Sequence, residues 1–222
     1  MSNRTALIVG ASGLVGQALL QALLESDDYS RVIAAGRRPL VCSHPKLDAA
    51  VVEFRRIRDY ARDLNAHDVY CTIGTTLKQA GSRAAFRRVD FDYCLGVARL
   101  ARDMNARNFV GISSVGANPE ARFFYTRVKG ELEEAVAALG LRRYFFVRPS
   151  LLRGLRTRPR LSEQLSMAAA RLARPLLLGR LARYRPIDVT DVARAMMALA
   201  LGPTQLSGPV ESDALMRIAA TI

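Results

Sequence analysis

The sequence predicts an α/β fold built on a doubly wound parallel sheet, with a small C-terminal lobe. Three short apolar runs, at residues 6–9, 32–35 and 69–73, are bounded by glycine or polar residues, as in buried parallel strands. Amphipathic stretches with helical spacing lie between strands, and the two kinds of segment alternate along the chain. Such alternation is typical of a parallel sheet covered by helices on both faces.

The same two patterns predict the later elements of the core. Helices are expected over residues 14–23, 82–105 and 120–139, the last ending near Gly140. Further strands are expected at residues 50–54, 108–113 and 143–147.

The pattern changes beyond Pro149. Residues 161–178 have helical composition, residues 186–189 form a short extended segment, and a last helix is expected over residues 190–201, with Thr190 as its N-cap. Half of the 222 residues are hydrophobic, which is enough for one large core. We therefore expect a single domain over residues 1–222, with a core at 1–150 and a substrate-side lobe at 151–222.

The net charge of +13 indicates an anionic partner, such as a phosphorylated cofactor or an acidic substrate. Nine arginines against the single acid Glu163 lie between residues 153 and 185. The segment 161–178 can therefore cover the active-site cleft or lie on an anionic membrane, and we favour the first. It lacks the aromatic pattern expected of a nucleic-acid-binding segment.

The N-terminal residues lack the pattern of a secretory signal peptide, and no apolar run reaches the length of a membrane span. We therefore expect a cytoplasmic protein. The cysteines Cys42, Cys71 and Cys94 are odd in number and widely separated, so reduced thiols are expected. The two histidines, His44 and His67, are far apart, and no metal site is expected.

A glycine-rich turn, Gly10-Ala11-Ser12-Gly13-Leu14-Val15-Gly16, follows the first strand and opens the first helix. Gly10 and Gly13 stand where the backbone must turn sharply and approach a bound diphosphate. The helix N-terminus offers unpaired N–H groups to that anion, and Gly16 permits close packing of helix on strand. The spacing and its context predict a dinucleotide-binding site formed by Gly10, Ser12, Gly13, Leu14, Val15 and Gly16.

The end of the second strand distinguishes NADP(H) from NAD(H). An acidic residue there would bind a ribose 2′-hydroxyl, but the sequence has Arg37 and Arg38 instead. Two guanidinium groups suit phosphate oxygens, so NADP(H) is expected. After the third apolar run, Gly74, Thr75 and Thr76 would lie beside the nicotinamide ribose. Asp59 could meet the adenine amino group or could equally be a solvated loop acid.

Candidate catalytic residues follow the strand expected at 108–113. Ser113 and Ser114 end it, and Tyr125 and Lys129 lie in the next helix, four residues apart and hence on one face. A lysine ammonium next to a tyrosine stabilises the phenolate, which allows the phenol to act as a general acid and base. A serine hydroxyl would orient the substrate oxygen.

At these residues the chain resembles the short-chain dehydrogenase/reductase superfamily, in its extended or atypical branch. It is most similar to the Tat-interacting-protein-like oxidoreductases in four segments: residues 71–76 (CTIGTT), 88–93 (RVDFDY), 113–117 (SSVGA) and 128–131 (VKGE). Many members of the superfamily hold a proton-relay water with an asparagine on the fourth helix, where this chain has Asp90.

The resemblance implies a general acid/base role for Tyr125, with Lys129 as its partner and Ser114 or Ser113 as the third member. It also implies that Arg37 and Arg38 bind the 2′-phosphate, and that Pro149 borders the nicotinamide. We expect an NADP(H)-dependent oxidoreductase that acts on a small carbonyl or alcohol. Two alternatives remain open, namely an idle NADP(H)-binding regulator and an epimerase of nucleotide sugars.

Overall fold

A seven-stranded parallel sheet forms the centre of the molecule, with strand order β3-β2-β1-β4-β5-β6-β9. The computed structural model describes residues 3–154, 179–203 and 207–221. The strands of the sheet are β1 (Thr5–Val9), β2 (Arg31–Gly36), β3 (Leu47–Val51), β4 (Asp68–Cys71), β5 (Asn108–Ile112), β6 (Tyr144–Arg148) and β9 (Gly208–Glu211). The order reverses direction at β1, so a crevice opens at the carboxyl ends of β1 and β4.

Helices cover both faces of the sheet. They are α1 (Leu14–Glu25), α2 (Leu77–Ala80), α3 (Arg83–Arg87), α4 (Cys94–Asp103), α5 (Phe124–Ala137), α6 (Val189–Leu201) and α7 (Ser212–Ala219). Helices α1, α6 and α7 bury their apolar side chains on one face, while α4, α5 and the 3₁₀ helix Phe54–Tyr60 pack on the other. The predicted doubly wound α/β fold is therefore confirmed.

Two predicted elements differ in detail from the structure. The strand expected at residues 50–54 lies at Leu47–Val51, because Phe54 is buried as the first residue of the 3₁₀ helix. The helix expected over residues 82–105 is interrupted by a π-helical turn, Arg88–Tyr93, between α3 and α4. Such turns insert an extra residue and re-aim neighbouring side chains, and they are often found at functional sites.

The start of α5 was also predicted too early. Residues 118–121 form a separate turn, in which the Asn118 side chain accepts from the Glu120 N–H and the Ala121 N–H bonds to the Asn118 carbonyl. The helix then begins at Phe124 rather than near residue 120.

The C-terminal region contributes to the main sheet as well as to a smaller one. Strand β9 pairs with β6, and α6 packs against α1, so both belong to the main layers. Strands β7 (Leu152–Arg153) and β8 (Ile187–Asp188) form a separate two-stranded sheet beyond β6. Strand β9 and helix α7 were not predicted from the sequence. The segment 161–178, for which cleft cover was expected, lies outside the described residues.

A buried polar network ties the amino ends of the strands together. The Asp68 carboxylate is fully buried and accepts hydrogen bonds from Tyr29 at 2.9 Å and Asn108 at 2.5 Å, while Arg4 pairs with it at 3.1 Å. Burial raises the pKa of Tyr29 and of Tyr70, so these two phenols stay neutral, and their hydroxyl oxygens lie 2.7 Å apart. The network joins the amino ends of β1, β2, β4 and β5, at the edge of the sheet opposite the crevice.

We expect Asp68→Ala to destabilise the fold by about 3–5 kcal/mol, because it leaves the buried Tyr29 and Asn108 and the partly buried Arg4 without their common acceptor. The control is Asp48→Ala, which removes an exposed ion pair with Arg31 and should cost less than about 1 kcal/mol. Urea unfolding measures both losses. Equal losses in the two variants would contradict the account.

Candidate functional site

The glycine turn between β1 and α1 closes against the end of β4. Gly10 has φ +101°, a conformation that glycine adopts without strain, and a Cβ there would lie 2.8 Å from the Thr72 carbonyl carbon. A Cβ at Gly16 would lie 2.1 Å from the Gly10 carbonyl oxygen, so α1 is held at backbone contact with the turn. The Gly13 N–H donates to that same oxygen. Both positions therefore require glycine.

A cavity of about 940 Å³ lies above this turn at the carboxyl edge of the sheet. Of the residues expected to hold a dinucleotide, Gly10, Ser12, Gly13, Arg37, Arg38, Gly74 and Thr75 line it. Leu14, Val15, Gly16 and Thr76 do not: Leu14, Val15 and Gly16 lie in the first turn of α1, and Thr76 caps α2 by accepting from the Gln79 N–H.

A nicotinamide dinucleotide fits this cavity. The volume is within the range of cofactor sites. The bare backbone at Gly10 and Gly13 leaves room for a diphosphate, and two guanidinium groups stand at the end of β2. The chemistry of the lining thus matches a long ligand with several phosphate groups.

A smaller cavity of about 400 Å³ adjoins the first and shares Arg37, Phe54 and Tyr93 with it. Glu53 lines this smaller cavity. Asp59, which was considered for the adenine end, instead forms an exposed ion pair with Arg56 at 2.8 Å. Asp59 lines neither cavity and is therefore a solvated loop residue.

The serines and Pro149 come together where β5 and β6 end. The Ser113 N–H donates to the Val147 carbonyl, and the Val115 N–H donates to the Pro149 carbonyl, so the two loops run side by side. Ser113 and Ser114 are both buried, and the Ser113 hydroxyl has no hydrogen-bond partner among the described residues. An unpartnered buried hydroxyl at this edge is free to bind a ligand oxygen.

Helix α5 carries Tyr125 half-buried and Lys129 fully buried, one turn apart. The Tyr125 ring packs against Phe86 of α3, with centroids 5.6 Å apart. The Lys129 ammonium lies 2.8 Å from the Asp90 carboxylate, which is also buried. Burial is the strongest single influence and would by itself lower the pKa of Lys129, but the combined attraction of Asp90, Tyr125 and Cys94 outweighs it and the net shift is upward. The lysine is therefore positively charged at neutral pH.

Asp90 also reaches the cavity lining, since its second oxygen accepts from the Thr75 N–H at 2.9 Å. Tyr125 and Lys129 do not themselves line the cavity; Lys129 is joined to it through Asp90 and Thr75. The sequence identified Asp90 only as a substitution for asparagine. The available signal was an aspartate on the helix where many members of the superfamily that the chain resembles have an asparagine.

A second ion-pair group that the sequence analysis missed fixes the other end of α5. Arg148 at the end of β6 donates to Glu133 of α5 at 3.0 Å and to Glu211 of β9 at 2.8 Å. Tyr125, Lys129 and Glu133 follow one another at intervals of four residues, so they lie along one face of the helix. Both ion pairs therefore act on the helix face that carries the tyrosine.

Only 11 positions separate Ser114 from Tyr125, and helix α5 lies against the loop that joins them. A Cβ at Gly130 would lie 2.2 Å from the Asn118 carbonyl carbon and 2.3 Å from the Pro119 nitrogen. The Asn118 N–H donates to the Thr126 carbonyl. The loop is thus folded back onto α5, and its few residues are enough to join Ser114 to the helix.

Comparison with known proteins identifies similar sequences. A family model described as NAD dependent epimerase/dehydratase family matches residues 6–208. The HTATIP2 protein of Rattus norvegicus is 38% identical over 156 residues, which covers 68% of this chain and 64% of the rat protein. The protein named FMP52, mitochondrial, of Coccidioides immitis is 29% identical over 222 residues, covering 92% of this chain and 89% of the relative.

Solved structures share the fold. MoeE5 in complex with UDP-glucose and NAD superimposes with a TM-score of 0.69 at 18% identity, covering 98% of this chain and 81% of MoeE5. An oxidoreductase of the short-chain dehydrogenase/reductase family from Burkholderia thailandensis gives a TM-score of 0.65 at 19% identity, covering 100% and 97%. Solved structures with this fold include complexes with NAD.

The expected cytoplasmic location is wrong by the same comparisons. Relatives from Coccidioides immitis, Emericella nidulans and Saccharomyces cerevisiae are all named as mitochondrial proteins. The expectation rested on the lack of a secretory signal peptide and of a membrane span, and neither feature distinguishes the cytoplasm from mitochondria. Among the described helices, none combines the length and apolar character needed to cross a membrane.

We expect Gly130→Ala to destabilise the protein by about 1–3 kcal/mol, because the new methyl group overlaps the backbone of residues 118 and 119. Gly96→Ala is the matched control. It is also within a helix, but its nearest neighbour, a methyl group of Ile57, lies 3.4 Å away, so it should be neutral or gain up to about 1 kcal/mol. Thermal unfolding of both variants measures the difference. The packing account fails if Gly130→Ala is as stable as Gly96→Ala.

Proposed function

This chain belongs to the NAD dependent epimerase/dehydratase family, and we propose that it is an NADP(H)-dependent oxidoreductase acting on a carbonyl or alcohol carbon. The observation that carries the proposal is the arrangement of α5, which places half-buried Tyr125 one turn from the charged, buried Lys129 beside a dinucleotide-sized cavity. A tyrosine beside a fixed positive charge is suited to giving and taking a proton.

A bound nicotinamide would supply a hydride to the carbonyl carbon of the substrate, or accept one from the alcohol carbon in the reverse direction. Tyr125 donates a proton to the carbonyl oxygen as the hydride arrives, and takes it back in the reverse direction. Lys129 stabilises the resulting phenolate with its ammonium charge. The unpartnered Ser113 hydroxyl, or Ser114 beside it, binds and orients the substrate oxygen. The Pro149 carbonyl accepts from the Val115 N–H, so the proline is held against this loop, where it would border the nicotinamide ring.

The preference for NADP(H) over NAD(H) follows from charge. Arg37 and Arg38 line the cavity at the end of β2, where an acid would be needed to bind a 2′-hydroxyl. Guanidinium groups form bidentate hydrogen bonds with phosphate oxygens. The positive charge of the chain also suits a substrate that carries an acidic group, and we include such substrates in the proposal.

Epimerisation of a nucleotide sugar is the second candidate, and the family description supports it. An epimerase takes a hydride from its substrate and returns it, so it consumes no net cofactor. Conversion of a UDP-sugar to its epimer without a change in NADPH absorbance would favour this candidate, whereas stoichiometric loss of NADPH with a carbonyl compound would favour the first.

The double variant Arg37→Ala with Arg38→Ala should weaken NADPH binding by about 10²-fold or more while changing NADH binding by less than about threefold. The reason is that only NADPH carries the phosphate that the two arginines would bind. Fluorescence titration with each cofactor measures both affinities. Arg102→Ala, which removes a surface arginine paired with Asp103, is the control and should change neither. Equal losses for NADPH and NADH would refute the assignment.

Tyr125→Phe should lower kcat by about 10²–10⁴-fold with any active carbonyl substrate, because the proton donor is lost, while NADPH binds as before. Tyr144→Phe, at the start of β6 and away from the cavity, is the matched control and should retain its activity. NADPH oxidation followed by absorbance gives both rates. Undiminished turnover in Tyr125→Phe would remove the residue from the mechanism.

A further inference from the structure

The ion pair between Lys129 and Asp90 differs from the other ion pairs among the described residues in its burial. The side chains of Lys129 and Asp90 are 2% and 1% exposed. In each of the other pairs both side chains are at least 9% exposed, except in Arg4–Asp68 at the opposite edge, where Arg4 is 21% exposed. Removing two charges from water is unfavourable, and well-packed apolar side chains of similar volume are often at least as stable in place of a buried ion pair. The pair therefore calls for a role beyond packing.

Asp90 contacts two parts of the site that belong to different segments of the chain. One oxygen holds the ammonium of Lys129 on α5, and the other accepts from the Thr75 N–H after β4. Gly74 approaches the same carboxylate, since a Cβ there would lie 3.5 Å from it. Gly74 and Thr75 both line the large cavity. Asp90 is thus the link between the catalytic helix and the cavity lining.

The π-helical turn explains how Asp90 reaches both partners. It occupies residues Arg88–Tyr93, where α3 gives way to α4, and Asp90 is the one residue in the turn that is buried. A regular helix through this segment would rotate the following side chains relative to α3. The irregular turn therefore combines a buried carboxylate with a regular α4 packed on the sheet.

Resting on the proposed function, we infer that Asp90 is a positioning residue that fixes the ammonium of Lys129 relative to the Gly74–Thr75 backbone. An asparagine at this position could keep the Thr75 hydrogen bond through its amide oxygen, but it has no charge to balance the lysine. The carboxylate does both. Positioning and charge compensation are therefore supplied by one side chain.

Few titratable groups face Lys129 among the described residues, so the effect of Asp90 on the pKa of this lysine can be measured apart from theirs. They are Asp90 from the π-helical turn, Tyr125 from α5, Cys94 from α4 and Cys71 from β4. A hydrogen bond with Cys71, together with burial, raises the pKa of Cys94, so its thiol is neutral at physiological pH. Asp90 is then the carboxylate that keeps the buried lysine protonated.

The chain has only three lysines, Lys46, Lys78 and Lys129, so the charge of Lys129 can be observed directly. In protein made with ¹³Cε-labelled lysine, each residue gives its own signal, and the pH dependence of each signal reports protonation. Exposed Lys78 serves as an internal reference. The experiment uses the full chain without cofactor, so its result does not depend on turnover or on NADP(H) binding.

In the unaltered protein, the Lys129 signal should titrate at higher pH than that of Lys78. In Asp90→Asn it should titrate at lower pH than Lys78, because burial, which lowers the pKa of Lys129, then acts without its strongest opposing charge. Asp92→Asn, two residues along the same turn, is the matched control and should leave the Lys129 titration unchanged. The inference is overturned if Lys129 already titrates with or below Lys78 in the unaltered protein. It is also overturned if Asp90→Asn leaves Lys129 titrating above Lys78.

The positioning role has its own readout in cofactor affinity. Asp90→Asn should bind NADPH within about threefold of the unaltered protein, because its amide oxygen can still accept from Thr75, whereas Asp90→Ala should lose about tenfold or more. Equal affinities in the two variants would contradict the link to the cavity lining. If NADPH fails to bind even the unaltered protein while the lysine titrations follow the expectation, the proposed function fails and the role of Asp90 stands.

Discussion

The approach of α1 to the glycine turn is the constraint on which the site depends. At Gly16 the helix backbone lies so close to the Gly10 carbonyl that even a methyl group would overlap it. Thr72 fills the remaining space from the neighbouring strand, and its N–H and hydroxyl both donate to the Val9 carbonyl. Because α1 meets the turn after β1 at backbone contact, and Gly10 and Gly13 have no side chains, the cavity at this carboxyl edge is left open to a ligand.

Helix α5 is positioned by a different kind of interaction. Apolar contacts place Leu132 and Val136 against the sheet, but such contacts are non-directional. Two ion pairs on the same helix face, Lys129 with Asp90 and Glu133 with Arg148, supply directional constraints. Burying these charges is unfavourable by itself. Their retention is consistent with a site whose geometry matters more than its contribution to stability.

Much of the fold was accessible from local patterns. The apolar runs of β1, β2 and β4 and the periodicity of α1 follow from burial on both faces of a parallel sheet, and each was located to within about two residues. Strand β9 was not found, because Gly208-Pro209-Val210-Glu211 has neither an apolar run nor alternation; its pairing with β6 makes it a strand. Tertiary contacts, rather than propensity, decide such segments.

The residues of the candidate site likewise fall into those that a local sequence pattern indicates and those that only tertiary contacts reveal. Local spacing in the sequence was enough to propose Gly10, Gly13 and the pair Tyr125 and Lys129 as site residues. The partnership of Asp90 with Lys129 spans 39 positions and arises from the packing of two helices, so no local pattern reveals it. The same is true of Arg148, whose partners lie on α5 and β9.

The central claim is that this protein transfers hydride, and the most direct test follows the hydride itself. The protein is incubated with NADPH that carries deuterium at both C4 positions of the nicotinamide and, in separate reactions, with aldehydes and ketones, and the products are examined by mass spectrometry. The account predicts that an aldehyde or ketone is reduced to an alcohol carrying deuterium on the former carbonyl carbon. Tight binding of NADPH with no deuterium in any product would contradict the account.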